Sequence, residues 1–141
     1  MLKKSHNRIF VLLTLGMVIL FFFCGNKESG NCEQFKNGKF IFHLRLQNGE
    51  VFFTINRKDS IQMETDNHAG YYSKLLVKWT DKCKYETTLL ETTFPFSDSI
   101  QKIRKTIPLK TEIISCTNDY YVFKTHRGNS PTMTDTMWVD K

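Results

Sequence analysis

The 141 residues contain no P-loop, no G-x-G-x-x-G, no H-E-x-x-H and no G-x-S-x-G. Phosphate-cradling loops, dinucleotide folds, zinc peptidases and serine hydrolases are therefore left without a signature. No two carboxylates stand at a telling spacing. Cysteine is sparse, at four, and with no C-x-x-C and no histidine close by the spacings do not describe a zinc site. Proline is rarer, at three, and Pro95 and Pro108 punctuate the chain instead of interrupting its apolar runs. There is no internal repeat and no long helical pattern. Even the longest apolar stretch, residues 9–23, offers only about 15 residues where a membrane span takes about 20.

The N-terminus does hold a basic opening of Lys3, Lys4 and Arg8 before that apolar stretch, the layout of a secretory signal over residues 1–23. Cys24 follows at once, and a polar tether runs over residues 24–31, as where a bacterial lipoprotein presents its lipidated cysteine. Phe21, Phe22 and Phe23 stand where the processing peptidase usually takes small residues, so an ordinary cleaved signal or an uncleaved anchor stays open. On any of these readings the chain is exported. Without Lys3, Lys4 and Arg8, 17 basic residues face 14 acidic ones, and the net charge falls from +6 to +3. That argues against a nucleic-acid partner. Export permits disulfides, and Cys32, Cys83 and Cys116 allow three single pairings. Cys32 and Cys83 sit before a strand and in a turn, as candidates for a surface staple, and Cys116 ends a strand as a candidate buried thiol.

From residue 32 onward the pattern is that of a single β domain, residues 32–141. Residues 39–66 read as a three-stranded meander. Asn48-Gly49 is the strongest short hairpin signal, because a type I′ turn needs positive φ at both central residues. Pairing outward from it sets Leu46 against Val51, Leu44 against Phe53 and Phe42 against Ile55, with every inward position apolar. A turn at Lys58-Asp59 then sets Ile55 against Gln62 and Phe53 against Glu64. Strands over 71–80 and 84–93 follow, with Trp79 opposite Tyr85, Val77 opposite Thr87 and Leu75 opposite Leu89. Phe94-Pro95-Phe96 breaks the ladder, and Ser97 or Asp98 caps a short helical turn over 100–105. Strands over 109–116, 120–125 and 132–139 complete the chain. About eight strands at spacings of about 8–12 residues predict an all-β antiparallel meander, closed as a small lipocalin-like barrel or strongly curled as a sheet.

Few residues invite a functional reading. Arg57, Gln62 and Glu64 share the apolar face, either as a ligand-anchoring cluster at a barrel mouth or as a structural Arg57–Glu64 pair bridged by Gln62. The second reading is favoured, because buried charges must be paired. His43, His68 and His126 are scattered and imply no metal. Asp59-Ser60 and Asp98-Ser99 sit beside turns, where local backbone bonds account for them. Phe52 points off the core face beside His43 and Arg45, with Ile61 and Met63 for company, either as a partner-binding or single-strand stacking surface or, the favoured reading, under a second layer formed by another strand or the turn over 100–103.

The motifs Cys32-Glu33-Gln34-Phe35-Lys36-Asn37-Gly38-Lys39-Phe40, Ile55-Asn56-Arg57 with Gln62-Met63-Glu64, and Val77-Lys78-Trp79 with Cys83-Lys84-Tyr85 resemble a group of small exported proteins and lipoproteins of Bacteroidota. The resemblance implies compartment and fold and strengthens the Cys32–Cys83 staple. It supplies no catalytic residue and no cofactor. The expected protein is therefore a non-enzymatic, membrane-tethered β domain in the periplasm or at the cell surface, a binding or envelope-maintenance module with a protein partner. Its competitor is a lipocalin-like carrier of a small apolar ligand, which would need an open interior.

Overall fold

The computed structural model describes residues 31–47 and 49–141. The signal segment 1–23, Cys24 and all but the last residue of the tether lie outside the described residues. Eight antiparallel strands form a closed barrel in which each strand pairs with its neighbours in the chain. They are β1 (Gly38–Leu46), β2 (Gly49–Lys58), β3 (Ile61–Asp66), β4 (Tyr72–Asp81), β5 (Lys84–Thr92), β6 (Leu109–Cys116), β7 (Tyr120–Arg127) and β8 (Met133–Val139). Closure comes from β1 and β8, which set Phe40 against Val139 and Phe42 against Met137. A 3-10 turn (Cys32–Phe35) precedes β1, and one helix, α1 (Asp98–Thr106), links β5 to β6. The all-β barrel with a single short helix is the fold that the spacing of turns and the alternation of apolar residues predict.

Two hairpins keep their faces but change their partners. Leu46 pairs with Gly49, Leu44 with Val51 and Phe42 with Phe53, one step nearer the tip than the Asn48-Gly49 turn implies. Gly49 has φ 142°, and this conformation, which side chains rarely tolerate, opens the second strand instead of closing the turn. In the next hairpin Arg57 pairs with Gln62 and Ile55 with Glu64, so the turn residues are Asp59-Ser60, not Lys58-Asp59. Asp59 takes φ 54°, a left-handed conformation that a short acidic side chain accepts, and its N–H donates to Asn37 Oδ1 at 2.7 Å. Because each slip moves partners by two residues, no side chain changes face. The β4–β5 hairpin has the predicted register, with Trp79 against Tyr85 and Leu75 against Leu89.

The barrel has two unlike ends. At the end where residue 31 joins the domain, the 3-10 turn plugs the opening, with Cys32 and Phe35 both buried. The Cys32–Cys83 disulfide fixes that plug to the β4–β5 turn across 5.3 Å between Cα atoms. Around it lie Phe40, Ile55, Val77, Tyr85, Ile113, Tyr121, Phe123 and Met137, all buried. Phe35 and Tyr121 rings meet at 4.7 Å and Phe40 and Tyr121 at 5.9 Å, tilted or edge-on, the geometry that aromatic pairs prefer. Each large side chain removed from water here adds about 1.5–3 kcal/mol. At the opposite end the inward residues Leu44, Val51, Phe53 and Asp135 are only half-buried, and α1 lies over that end between β5 and β6. The first is called the sealed end below, the second the open end.

Candidate functional site

Arg57 is 1 % exposed and is the centre of the sealed end. It sits on β2 at the last inward position before the Asp59-Ser60 turn, where alternation turns it into the lumen. Its Nε donates to Gln62 Oε1 at 2.8 Å, its Nη1 to the Phe35 carbonyl at 2.7 Å, and its Nη2 to the Tyr85 and Tyr121 hydroxyls at 3.2 and 3.3 Å. The guanidinium also lies 4.6 Å from the Tyr85 ring centroid and 5.2 Å from that of Phe40, which adds attraction to the ring faces. Burial works against its charge, and the two tyrosine oxygens more than offset that, so Arg57 is held above its ordinary value. Burial, with Tyr85 adding to it, pushes the Tyr121 phenol well above its usual range despite Arg57, so at neutral pH it is a neutral acceptor. Every nitrogen of Arg57 is thus engaged by the fold.

Gln62 does bridge Arg57 to Glu64: its Nε2 donates to Glu64 Oε1 at 2.7 Å. The three residues are brought together as a relay, with Arg57 and Glu64 linked through the amide. Glu64 is half-buried, and burial raises it above the usual carboxylate range. The Gln62 hydrogen bond and the guanidinium groups of Arg104, Arg57 and Arg127 offset part of that rise. Two arginines that the sequence did not single out therefore share the field of Glu64. Arg127 extends the inward series Tyr121, Phe123, Thr125 of β7 by one step, and its Nη1 donates to the Ile107 carbonyl. Burial lowers it, and so does the neighbouring Arg104. The signal for Arg127 was present in that alternation, had the strand been carried two residues past Thr125. Arg104 comes from α1 and lies 4.7 Å over the Phe96 ring.

These contacts set the orientation of α1, which is the reverse of an ordinary surface helix. An amphipathic helix turns its apolar stripe to the core. Here Gln101 and Arg104 are the tucked residues, with Gln101 Nε2 on the Phe96 carbonyl at 3.2 Å. Ile100, Ile103 and Ile107, on one face by their spacing, are 46, 47 and 41 % exposed. The expectation that residues 100–105 cover Phe52 is therefore overturned. Phe52 stays 39 % exposed with the His43 ring edge-on at 4.6 Å, because it points outward from β2 while α1 packs against β5. Ser97 stands at the N-cap, but its hydroxyl bonds Ser99 at 3.0 Å instead of capping the backbone.

The remaining candidates do not converge. His43 and His126 lie on the outer wall, and His68 is in the β3–β4 turn, where its N–H reaches Asp66 Oδ1 at 2.7 Å. Among the described residues no group of three or more His, Cys, Asp and Glu side chains is arranged to hold a metal ion. Cys116 is a half-buried free thiol, raised by burial. A groove of about 420 Å³ lies on the outside of β5, β6 and β7, lined by Lys84, Glu86, Lys110, Lys124 and His126 among others. Lys84 pairs with Glu112 across it at 3.3 Å.

Exposed apolar side chains occur on the barrel wall, with Phe52, Leu76, Ile114 and Trp138, the last two toward the sealed end, and at the open end. Leu46 at the β1–β2 tip, Tyr71 before β4, Leu90 late in β5, Ile100, Ile103 and Ile107 on and after α1, and Met133 at the start of β8 all belong to the open end. The described connections of the sealed end carry no exposed large apolar residue. Comparison of the chain with family models, with characterised proteins and with solved structures finds no match.

Proposed function

We propose that this is an exported, envelope-anchored, non-enzymatic binding module, a rigid barrel that presents its open end to a partner. The observation that carries the reading is the isoleucine stripe of α1, turned to solvent at the open end with Leu46, Tyr71 and Met133 around it. Ile100, Ile103 and Ile107 share one exposed face, and grouped apolar side chains of this kind mark an interaction site. The polar groups of the sealed end support the same reading, since Arg57, Gln62, Tyr85 and Tyr121 are taken up by bonds to one another. The N-terminal segment would hold the domain at the membrane through Cys24 or an uncleaved anchor.

The carrier reading draws on the half-buried Phe53, Asp135 and Arg127 near the mouth, which would admit a small molecule beneath α1. Native mass spectrometry of the protein extracted from its own cells separates the two. The binding-module account expects no stoichiometric small molecule, and envelope components that are lost from an Ile103→Asp variant. One apolar molecule per chain, retained in that variant, would establish the carrier instead.

A further inference from the structure

We infer that the open end docks on the surface of an anionic phospholipid bilayer; this rests on the proposed binding role and names the partner of that same face. Three observations favour a lipid surface over a protein. First, the apolar residues sit on separate connections, Leu46, Tyr71, Ile103 and Met133, and form a rim of tips instead of a groove or a continuous patch. Second, the exposed polar residues of α1 include two lysines against one acid, with Ser99 and Thr106 neutral. Lys102 and Lys105 are exposed, Asp98 is the only acid of the helix, and Arg104 lies beneath. Lysine is depleted at protein–protein interfaces, whereas apolar residues interleaved with lysine are the pattern of helices lying in an anionic membrane interface. Third, Gln101 and Arg104 are the half-buried side of α1, on the Phe96 carbonyl and ring, so the isoleucine face is exposed in the fold itself.

The topology adds direction. Residue 31 meets the barrel at the sealed end, and the rim is at the other. A barrel tethered through its N-terminus thus offers the rim to a surface other than the one beneath its tether, and binding in trans is the form the docking takes.

The test uses the full chain. It is reconstituted into unlabelled vesicles of phosphatidylcholine and mixed with labelled, protein-free vesicles, either of phosphatidylcholine alone or with phosphatidylglycerol added. Labelled anionic vesicles should co-sediment with the protein-bearing ones, and neutral ones about tenfold less, with the capture weakening as salt rises. The pair Ile100→Ser with Ile103→Ser should lower capture by about tenfold or more. Because both side chains are exposed, its circular dichroism and melting should match the wild type. Lys102→Glu with Lys105→Glu should lower capture of the anionic vesicles alone. Failure to capture anionic vesicles, or capture indifferent to the isoleucine pair, overturns the inference. Clustering of protein-bearing vesicles with one another but not with protein-free ones overturns it in favour of a second copy of the chain. Should vesicles fail while Ile103→Asp still strips envelope proteins from the native extract, the lipid assignment falls and the binding role stands.

Discussion

Arg57 and Tyr121, 64 positions apart in the chain, meet inside the sealed end of the barrel with Arg57 Nη2 3.3 Å from the tyrosine oxygen. That contact ties β2 to β7 across the lumen, and the bonds to Gln62, the Phe35 carbonyl and Tyr85 tie in β3, the 3-10 turn and β5. Arg57→Met strips the donor from all four acceptors at once. With the acceptors left buried, the loss should be about 3–5 kcal/mol, read as a shift of the urea midpoint. Tyr121→Phe, which removes one acceptor among several, should cost about 1–3 kcal/mol. A loss under about 1 kcal/mol for Arg57→Met would show that the hub contributes little to the fold.

The disulfide closes a loop of 51 residues and holds the 3-10 plug in place. Replacing Cys32 and Cys83 together by alanine should therefore lower stability by about 2–4 kcal/mol. Cys116→Ala, at a half-buried thiol outside the bridge, should change it much less. Equal midpoints for oxidised and reduced wild type in denaturant would contradict this role.

Glu64 gives a pH signature of known sign. In the unfolded chain it ionises at its ordinary value near 4.5, and in the barrel burial holds it higher. Between those two values the folded protein keeps a proton that the unfolded chain releases. The contribution of this group to stability is then present below the lower value and falls as pH rises through the higher one. Glu64→Gln keeps an oxygen for Gln62 Nε2 and removes the titration. Its melting temperature should gain on the wild type as pH rises from about 4 to about 7. A constant difference would place Glu64 in water, and a wild type that gains would show that the neighbouring arginines outweigh its burial.

The fold was legible because strand periodicity and turn chemistry agree along this chain. The inward series Phe40, Phe42, Leu44 and Leu75, Val77, Trp79 is apolar at every step, and such a series can face only one way. Which residue of a turn takes positive φ was harder to read, since Gly49 and Asp59 each tolerate it at more than one position, and both hairpins slipped accordingly. Arg57, Gln62 and Glu64 were visible as polar residues on an apolar face. Their partners Tyr85, Tyr121 and the Phe35 carbonyl were not, because contacts across a closed barrel depend on strand tilt and shear, which local pattern does not encode. The face of α1 was misjudged for a related reason. Its isoleucine spacing argues for burial, and only the folded chain shows Gln101 and Arg104 on the half-buried side, against the Phe96 carbonyl and ring.

That the open end is the working face can be tested at single residues in living cells. A photoreactive amino acid placed at Ile103 on α1, at Leu46 on the β1–β2 tip, or at Lys82 in the β4–β5 turn of the sealed end reports what each position touches in the envelope. Irradiation should yield adducts from positions 103 and 46 and none from position 82. Adducts from position 82, with none from 103 and 46, would contradict the account and move the interaction surface to the sealed end.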